Sequence, residues 1–64
     1  MSAELNQAEA KLVECYRSLE AVLREHGEQL APFAQRNSIK ALAALWQVMN
    51  GLDQDPGQLY DLGA

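Results

Sequence analysis

The seven residues His26-Gly27-Glu28-Gln29-Leu30-Ala31-Pro32 divide this chain of 64 residues into two long segments with helical periodicity. Gly27 directly follows the last periodic residue of the first segment, a position at which glycine commonly ends a helix. Pro32 disfavours helical backbone at Ala31 and suits the first turn of a new helix. The stretch therefore predicts a tight connection between two antiparallel helices.

Before this connection, the sequence predicts one helix from about Ala3 to His26, with Ser2 as its N-cap. Its apolar residues recur at alternating steps of three and four, and Tyr16 and Leu23 widen the resulting stripe. The stripe consists of Leu5, Ala8, Leu12, Cys15, Leu19, Val22 and His26. It covers about a third of the helix, which is enough to pack against one side of a second helix.

After the connection, two arrangements fit the sequence. One is a single helix from about Pro32 to Asn50. The other splits the segment near Asn37, which then caps a helix starting at Ser38, while Glu28–Arg36 forms a short helix of its own. The single helix is favoured because the three-four spacing continues across the possible break. The residues that keep this spacing are Leu30, Ala34, Asn37, Ala41, Ala44 and Val48.

The second helix is apolar on two sides. One side consists of Ala41, Ala44, Leu45, Val48 and Leu52. The other side consists of Ile39, Leu42, Trp46 and Met49. The alanine-rich side is predicted to face the first helix, because small residues permit close approach. The side containing Trp46 would then need another cover, since such a patch is unusual on a monomer. A second copy, a different protein or the folded-back tail with Leu59, Tyr60 and Leu62 could supply it, and the second copy is favoured.

Residues 53–64 form an acidic C-terminal tail that follows a hairpin domain of residues 1–52. Asp55-Pro56-Gly57 indicates a turn, and the residues after it suggest one short third helix. Two interpretations of the tail stay open. It is either a frayed or folded-back terminus, or a short motif that inserts into a partner's groove.

The small size of the chain predicts self-association. A chain of this length buries only about 60% of its unfolded surface, so small domains usually need additional stabilisation. An intramolecular disulfide is excluded because Cys15 is the only cysteine. A structural zinc site needs about four ligands, and Cys15 and His26 are the only Cys and His residues. Two hairpins pairing into a dimeric four-helix bundle would supply the missing core.

The net charge of −4 argues against non-specific binding to nucleic acid, which repels acidic proteins. Charge is segmented: residues 1–28 carry a net −3, residues 29–50 carry +2 and residues 51–64 carry −3. No apolar run is long enough to span a membrane, and residues 1–5 do not resemble a signal peptide. We therefore expect a cytoplasmic protein without a membrane segment.

The sequence predicts no enzyme, no cofactor and no catalytic or metal site. The glutamates spread around the first helix, whereas paired catalytic carboxylates converge in a cleft. Ser18 and Ser38 have no neighbouring base that could activate them. Cys15 and His26 are expected to be structural, unless a symmetric interface pairs them into a metal or redox site.

The favoured function is a protein–protein interaction module, such as an adaptor, inhibitor, chaperone-like protein or accessory subunit. It would bind its own copies, another protein, or both. The predicted partner-binding residues are Ile39, Leu42, Trp46, Met49, Leu59, Tyr60 and Leu62. The alternative is a dimeric nucleic-acid-binding regulator of the small helical-hairpin type. Its binding face would consist of Arg17, Arg24, Arg36 and Lys40.

Overall fold

The protein is an all-α helical hairpin. The computed structural model describes residues 4–57 and 59–62, and of Tyr60 only the backbone. Helix α1 spans Gln7–His26 and helix α2 spans Pro32–Gly51, with a 3-10 turn at Gly27–Gln29 between them. A second 3-10 turn spans Tyr60–Leu62. No strand occurs within these residues, so the predicted fold class and its two-helix plan are confirmed.

Helix α1 begins at Gln7, later than the start near Ala3 that the sequence predicted. Asn6 is the N-cap: its side chain accepts a hydrogen bond from the Glu9 backbone N–H at 2.8 Å. The Glu9 carboxylate in turn accepts from the Asn6 backbone N–H at 2.9 Å. This reciprocal capping box satisfies two free donors at once and fixes the start of the helix. Glu4 and Leu5 precede the helix, while the predicted cap at Ser2 lies outside the described residues.

Gly27 does not end α1 in the way predicted. A terminating glycine usually has left-handed backbone, but Gly27 is right-handed, with φ −56° and ψ −34°. The chain instead tightens into the 3-10 turn, where Leu30 N–H donates to the Gly27 carbonyl at 3.1 Å. Gly27 is buried, and a Cβ at this position would lie 3.4 Å from Gln35 Nε2. This is an ordinary contact with the end of a flexible side chain, so the packing at this position does not require glycine.

Helix α2 is continuous through Asn37. Pro32 occupies its first turn, and the first backbone hydrogen bond runs from Gln35 N–H to the Ala31 carbonyl at 2.9 Å. Asn37 is an exposed residue inside the helix, so the interpretation of Asn37 as an N-cap is wrong. Because proline already supplies the start signal at residue 32, no second start is needed five residues later.

Helix α2 ends in a Schellman motif. Gln54 N–H donates to the Met49 carbonyl at 3.0 Å, and Asp53 N–H donates to the Asn50 carbonyl at 3.2 Å. This pattern requires left-handed backbone at the residue after the C-cap. That residue is Asp53, with φ 63°, although glycine adopts this conformation at lower cost. The motif directs the tail back along the hairpin.

Replacing Asp53 with glycine is expected to stabilise the protein by roughly 0.5–1 kcal/mol, since glycine relieves the steric cost of the left-handed conformation. Urea unfolding followed by circular dichroism measures the effect. The matched variant Asp53→Ala keeps a Cβ at this position and should not gain stability. Equal stabilisation by both variants would contradict the assigned backbone conformation.

The helices pack through a different pair of faces from those predicted. The buried core of the described residues is Tyr16, Leu23, Leu42, Met49 and Leu59. On α2, the side containing Leu42 and Met49 faces inward, while Ala41, Ala44 and Val48 are exposed. On α1, the stripe is rotated towards Tyr16 and Leu23, which leaves Cys15 and His26 exposed. The expectation that small residues form the seam is therefore wrong.

The physical reason lies in the size and spacing of the inward side chains. Tyr16 and Leu23 are seven residues apart, as are Leu42 and Met49, so each pair lies on one face of its helix. Burying these large side chains removes more apolar area from water than burying alanines would. The partly buried apolar residues around them are Val13, Leu19, Leu30, Ile39, Leu45, Trp46 and Leu62.

Candidate interaction site

The C-terminal tail lies across one side of the hairpin and is held there by its main chain. Three successive carbonyls each accept a hydrogen bond from a side chain of the helices. Arg17 Nη2 donates to the Asp55 carbonyl at 2.9 Å, and the Tyr16 hydroxyl donates to the Pro56 carbonyl at 2.7 Å. Trp46 Nε1 donates to the Gly57 carbonyl at 2.9 Å. Both helices therefore bind the same turn of the tail.

The turn has the geometry that its sequence predicts. Gly57 has φ 77°, a conformation that suits glycine. Its N–H donates to Asp55 Oδ1 at 3.1 Å, which closes an Asx turn around Pro56. The turn presents its carbonyls to the helices, so the recognised groups belong to the backbone and not to the side chains of the turn.

Beyond the turn, the tail adds apolar contacts and an ion pair. Leu59 is 7% exposed and belongs to the buried core, and Leu62 packs against this core. Arg24 forms an ion pair with Asp61 and a second one with Glu20. We call the surface beneath the tail, formed by Tyr16, Arg17, Arg24 and Trp46 with the core residues between them, the tail groove.

The tail groove contains the predicted partner-binding residues of α2. Leu42 is 0% exposed and Met49 is 1% exposed, while Ile39 and Trp46 are half-buried. Helix α1 and the tail cover them, so the premise that this side is uncovered is wrong. Leu59 and Leu62 belong to the cover, consistent with the folded-back interpretation of the tail. The side chain of Tyr60 lies outside the described part of the structure.

Tyr16 is the central polar group of the tail groove. Its side chain is fully buried, and burial raises the pKa of its hydroxyl, with a further contribution from the Glu20 carboxylate. Arg17 and Arg24 act in the opposite direction, and the Arg17 guanidinium lies 5.4 Å from the centre of the Tyr16 ring. The raised pKa keeps the hydroxyl protonated, which it must be to donate to Pro56.

Alkaline pH is expected to weaken the fold through Tyr16. In the unfolded chain a tyrosine ionises near pH 10, whereas the folded state holds the pKa of Tyr16 higher. The unfolded state therefore loses its proton first. The stabilisation is fully present below pH 10 and is lost as the pH rises through the folded pKa.

Urea unfolding at pH 8, 10 and 11 measures this loss. Tyr16→Phe should be less stable at pH 8 by about 1 kcal/mol, since it removes one hydrogen bond. It should also show a smaller loss of stability between pH 8 and pH 11. An identical pH dependence in both proteins would contradict the assigned role of the Tyr16 hydroxyl.

The opposite side of the hairpin carries a second apolar surface, which has no cover among the described residues. Cys15 and Val22 each lie two positions from the tail-binding Arg17 and Arg24 on α1. Two positions correspond to about 200° around a helix. They therefore point away from the tail groove.

On α2, Ala44 and Val48 each lie two positions from Trp46, so they also point away from the tail. Val22 is 40% exposed, Leu12 is 39% exposed and Val48 is 36% exposed. We call this surface the open face. It consists of Leu12, Cys15, Val22, Ala41, Ala44 and Val48.

The other candidate residues do not converge on one site. Cys15 and His26 are both exposed and lie three helical turns apart on α1. Among residues 4–57 and 59–62, no three His, Cys, Asp or Glu side chains are placed to hold a metal ion together. Arg17 and Arg24 are both paired with Glu20. The predicted nucleic-acid face would therefore have two of its cations already partly neutralised.

Main-chain recognition of the tail was not predicted from the sequence. Its signal was the presence of side-chain donors on the inward half of each helix, Tyr16 on α1 and Trp46 on α2. Buried hydroxyl and indole groups need acceptors, and carbonyls in the interior of a helix are already bonded to its own N–H groups. The turn at Asp55-Pro56-Gly57 supplies carbonyls that are not used within a helix.

Comparisons with protein-family models, with curated proteins and with solved structures found no match. Within the described residues, neither helix is long and apolar enough to cross a membrane.

Proposed function

We propose that the chain is a small protein-interaction module that works as a homodimer, in which two hairpins pair through their open faces into a four-helix bundle. The observation that carries the proposal is the apolar open face, contributed by both helices and left uncovered by the tail. Pairing these faces around a twofold axis would bury Val22 and Val48 in one seam.

The small core supports a second copy as the occupant. Among the described residues, the buried core cluster consists of Tyr16, Leu23, Leu42, Met49 and Leu59. A core of this size fits a small domain that is completed by association.

The distribution of charge favours the same arrangement. Residues 1–28 carry a net −3, whereas residues 29–50 carry +2 from Arg36 and Lys40 alone. A twofold packing that places α1 of one copy on α2 of the other brings opposite charges together. Such complementarity adds mainly to orientation and to the rate of association.

Light scattering over a concentration series tests the proposal. The wild-type protein is expected at twice its chain mass of 7.1 kDa. Val48→Glu should raise the dissociation constant at least about 100-fold, because an unpaired carboxylate would be buried in the seam. Ala10→Glu is the matched control, since Ala10 is exposed on α1 and lies seven residues before Arg17, on the side of the helix away from the open face. A monomeric wild type, or a Val48→Glu protein that dimerises normally, would refute the proposed dimer.

A further inference from the structure

The tail groove has the features of a peptide-binding site that is occupied by the chain's own terminus. Its three donors, Arg17, Tyr16 and Trp46, bind three successive carbonyls at 2.9, 2.7 and 2.9 Å. These carbonyls belong to a turn in which Gly57 has φ 77°, so a ligand has to form the same turn, with glycine after its proline. The donors are contributed by both helices and not by the tail, so the site does not depend on the segment that occupies it.

Side chains of the tail define which peptide fits. Pro56 is buried, Leu59 enters the core three residues later, and Asp61 pairs with Arg24 two residues after that. The groove is flanked by the cations Arg17 and Arg24, which favour an anionic segment. The complementary ligand is therefore an acidic segment with the pattern proline, glycine, one residue, leucine, one residue, aspartate or glutamate.

The attachment of the tail is suited to displacement. The Asp61 side chain is 66% exposed, so its ion pair with Arg24 is screened by water. Docking is instead assisted by the covalent connection, which gives a short tether a local concentration in the millimolar range. A partner segment with additional contacts can compete with a ligand held in this way.

We propose that the tail groove binds an acidic Pro-Gly-x-Leu-x-Asp/Glu segment of a partner protein and that residues 55–62 are a built-in competitor for it. This inference deepens the proposed role as an interaction module, on which it rests, but it uses the side of the hairpin opposite the open face. Displacement of the tail would couple binding of the partner to release of the acidic residues 55–62.

The test uses the full chain and a fluorescein-labelled synthetic peptide with the sequence of residues 53–62, followed by fluorescence anisotropy. Leu59→Ala weakens the tail without altering the groove and is expected to increase the affinity for the peptide at least tenfold over wild type. Asp61→Asn is a milder tail variant that leaves the core intact. It should increase the affinity for the peptide about threefold. A peptide with alanine at the position of Leu59 should bind at least tenfold more weakly.

The groove itself is tested in the Leu59→Ala protein. Adding Trp46→Phe removes the donor to the Gly57 carbonyl and should weaken peptide binding about fivefold, the loss expected for one hydrogen bond. Equal binding of a scrambled peptide, or equal affinity of the wild-type and Leu59→Ala proteins, would overturn the proposal. The proposal would also be overturned if the Leu59→Ala protein, unlike the wild type, had the mass of a monomer. Such a result would mean that in the wild-type dimer each tail binds to the other copy.

The result of the peptide-binding experiment does not depend on whether the protein dimerises. Val48→Glu lies on the open face and should bind the peptide as the wild-type protein does. If Val48→Glu is monomeric and retains peptide binding, both proposals stand. If the wild type is monomeric but the Leu59→Ala protein binds the peptide, only the proposed dimer fails.

Discussion

Leu42→Ala is expected to destabilise the protein by about 3 kcal/mol. Leu42 is 0% exposed and lies at the centre of the core between α1 and α2. Truncation removes buried apolar atoms and leaves a cavity that the rigid hairpin cannot close. A domain of this length has a total stability of roughly 3–10 kcal/mol. We therefore expect a protein that is largely unfolded at moderate temperature, as measured by thermal and urea unfolding.

Phe33→Ala provides the control for this prediction. It removes an even larger apolar side chain from the same helix, but Phe33 is 71% exposed. Its stability should stay within about 0.5 kcal/mol of the wild type. Both variants have to be compared at a concentration at which the protein is monomeric, because Phe33 lies on the same side of α2 as Ala44 and association contributes to apparent stability. Similar losses for the two variants would contradict the assignment of the inward face of α2.

Leu59→Ala is expected to cost about 2 kcal/mol and to release the tail. The loss in free energy of unfolding is smaller than for Leu42→Ala, because it cannot exceed the free energy with which the tail binds to the hairpin. Release breaks the hydrogen bond from Trp46 to the Gly57 carbonyl and exposes the indole ring. The fluorescence of Trp46, the only tryptophan, should therefore shift to longer wavelength while the helical signal in circular dichroism is largely kept.

Leu59→Met is the matched control, since it conserves side-chain volume and should leave the emission of Trp46 almost unchanged. A Leu59→Ala protein with unchanged emission would show that the tail does not protect Trp46. A complete loss of helical signal would show instead that the hairpin cannot fold without the tail. That result would contradict a tail that only covers Trp46 and the neighbouring core.

The number, order and approximate bounds of the helices could be predicted because they depend on local chemistry. Pro32 marks the start of α2, and periodic apolar residues mark both helices. The N-terminal boundary of α1 was wrong because Ser2 and Asn6 are both good caps. Only Asn6 has a glutamate three residues later, and this capping box was the signal that distinguished them.

The orientation of the helices could not be predicted from periodicity alone. Both sides of α2 are apolar, so a helical wheel does not decide which side faces inward. The decision depends on contacts distant in sequence: the Tyr16 hydroxyl and the Trp46 indole need the carbonyls of the turn at Pro56 and Gly57. The side that the sequence suggested as free for a partner is therefore the side that the tail occupies.

The most direct test of this account is acrylamide quenching of Trp46 fluorescence in the wild-type protein over a dilution series that takes the dimer to the monomer. The tail covers Trp46 on one side of the hairpin, and in the proposed dimer the second copy packs on the opposite side. This arrangement predicts that quenching is weak and stays constant as the dimer dissociates. Quenching that increases with dissociation would place Trp46 in the seam between copies and contradict the account.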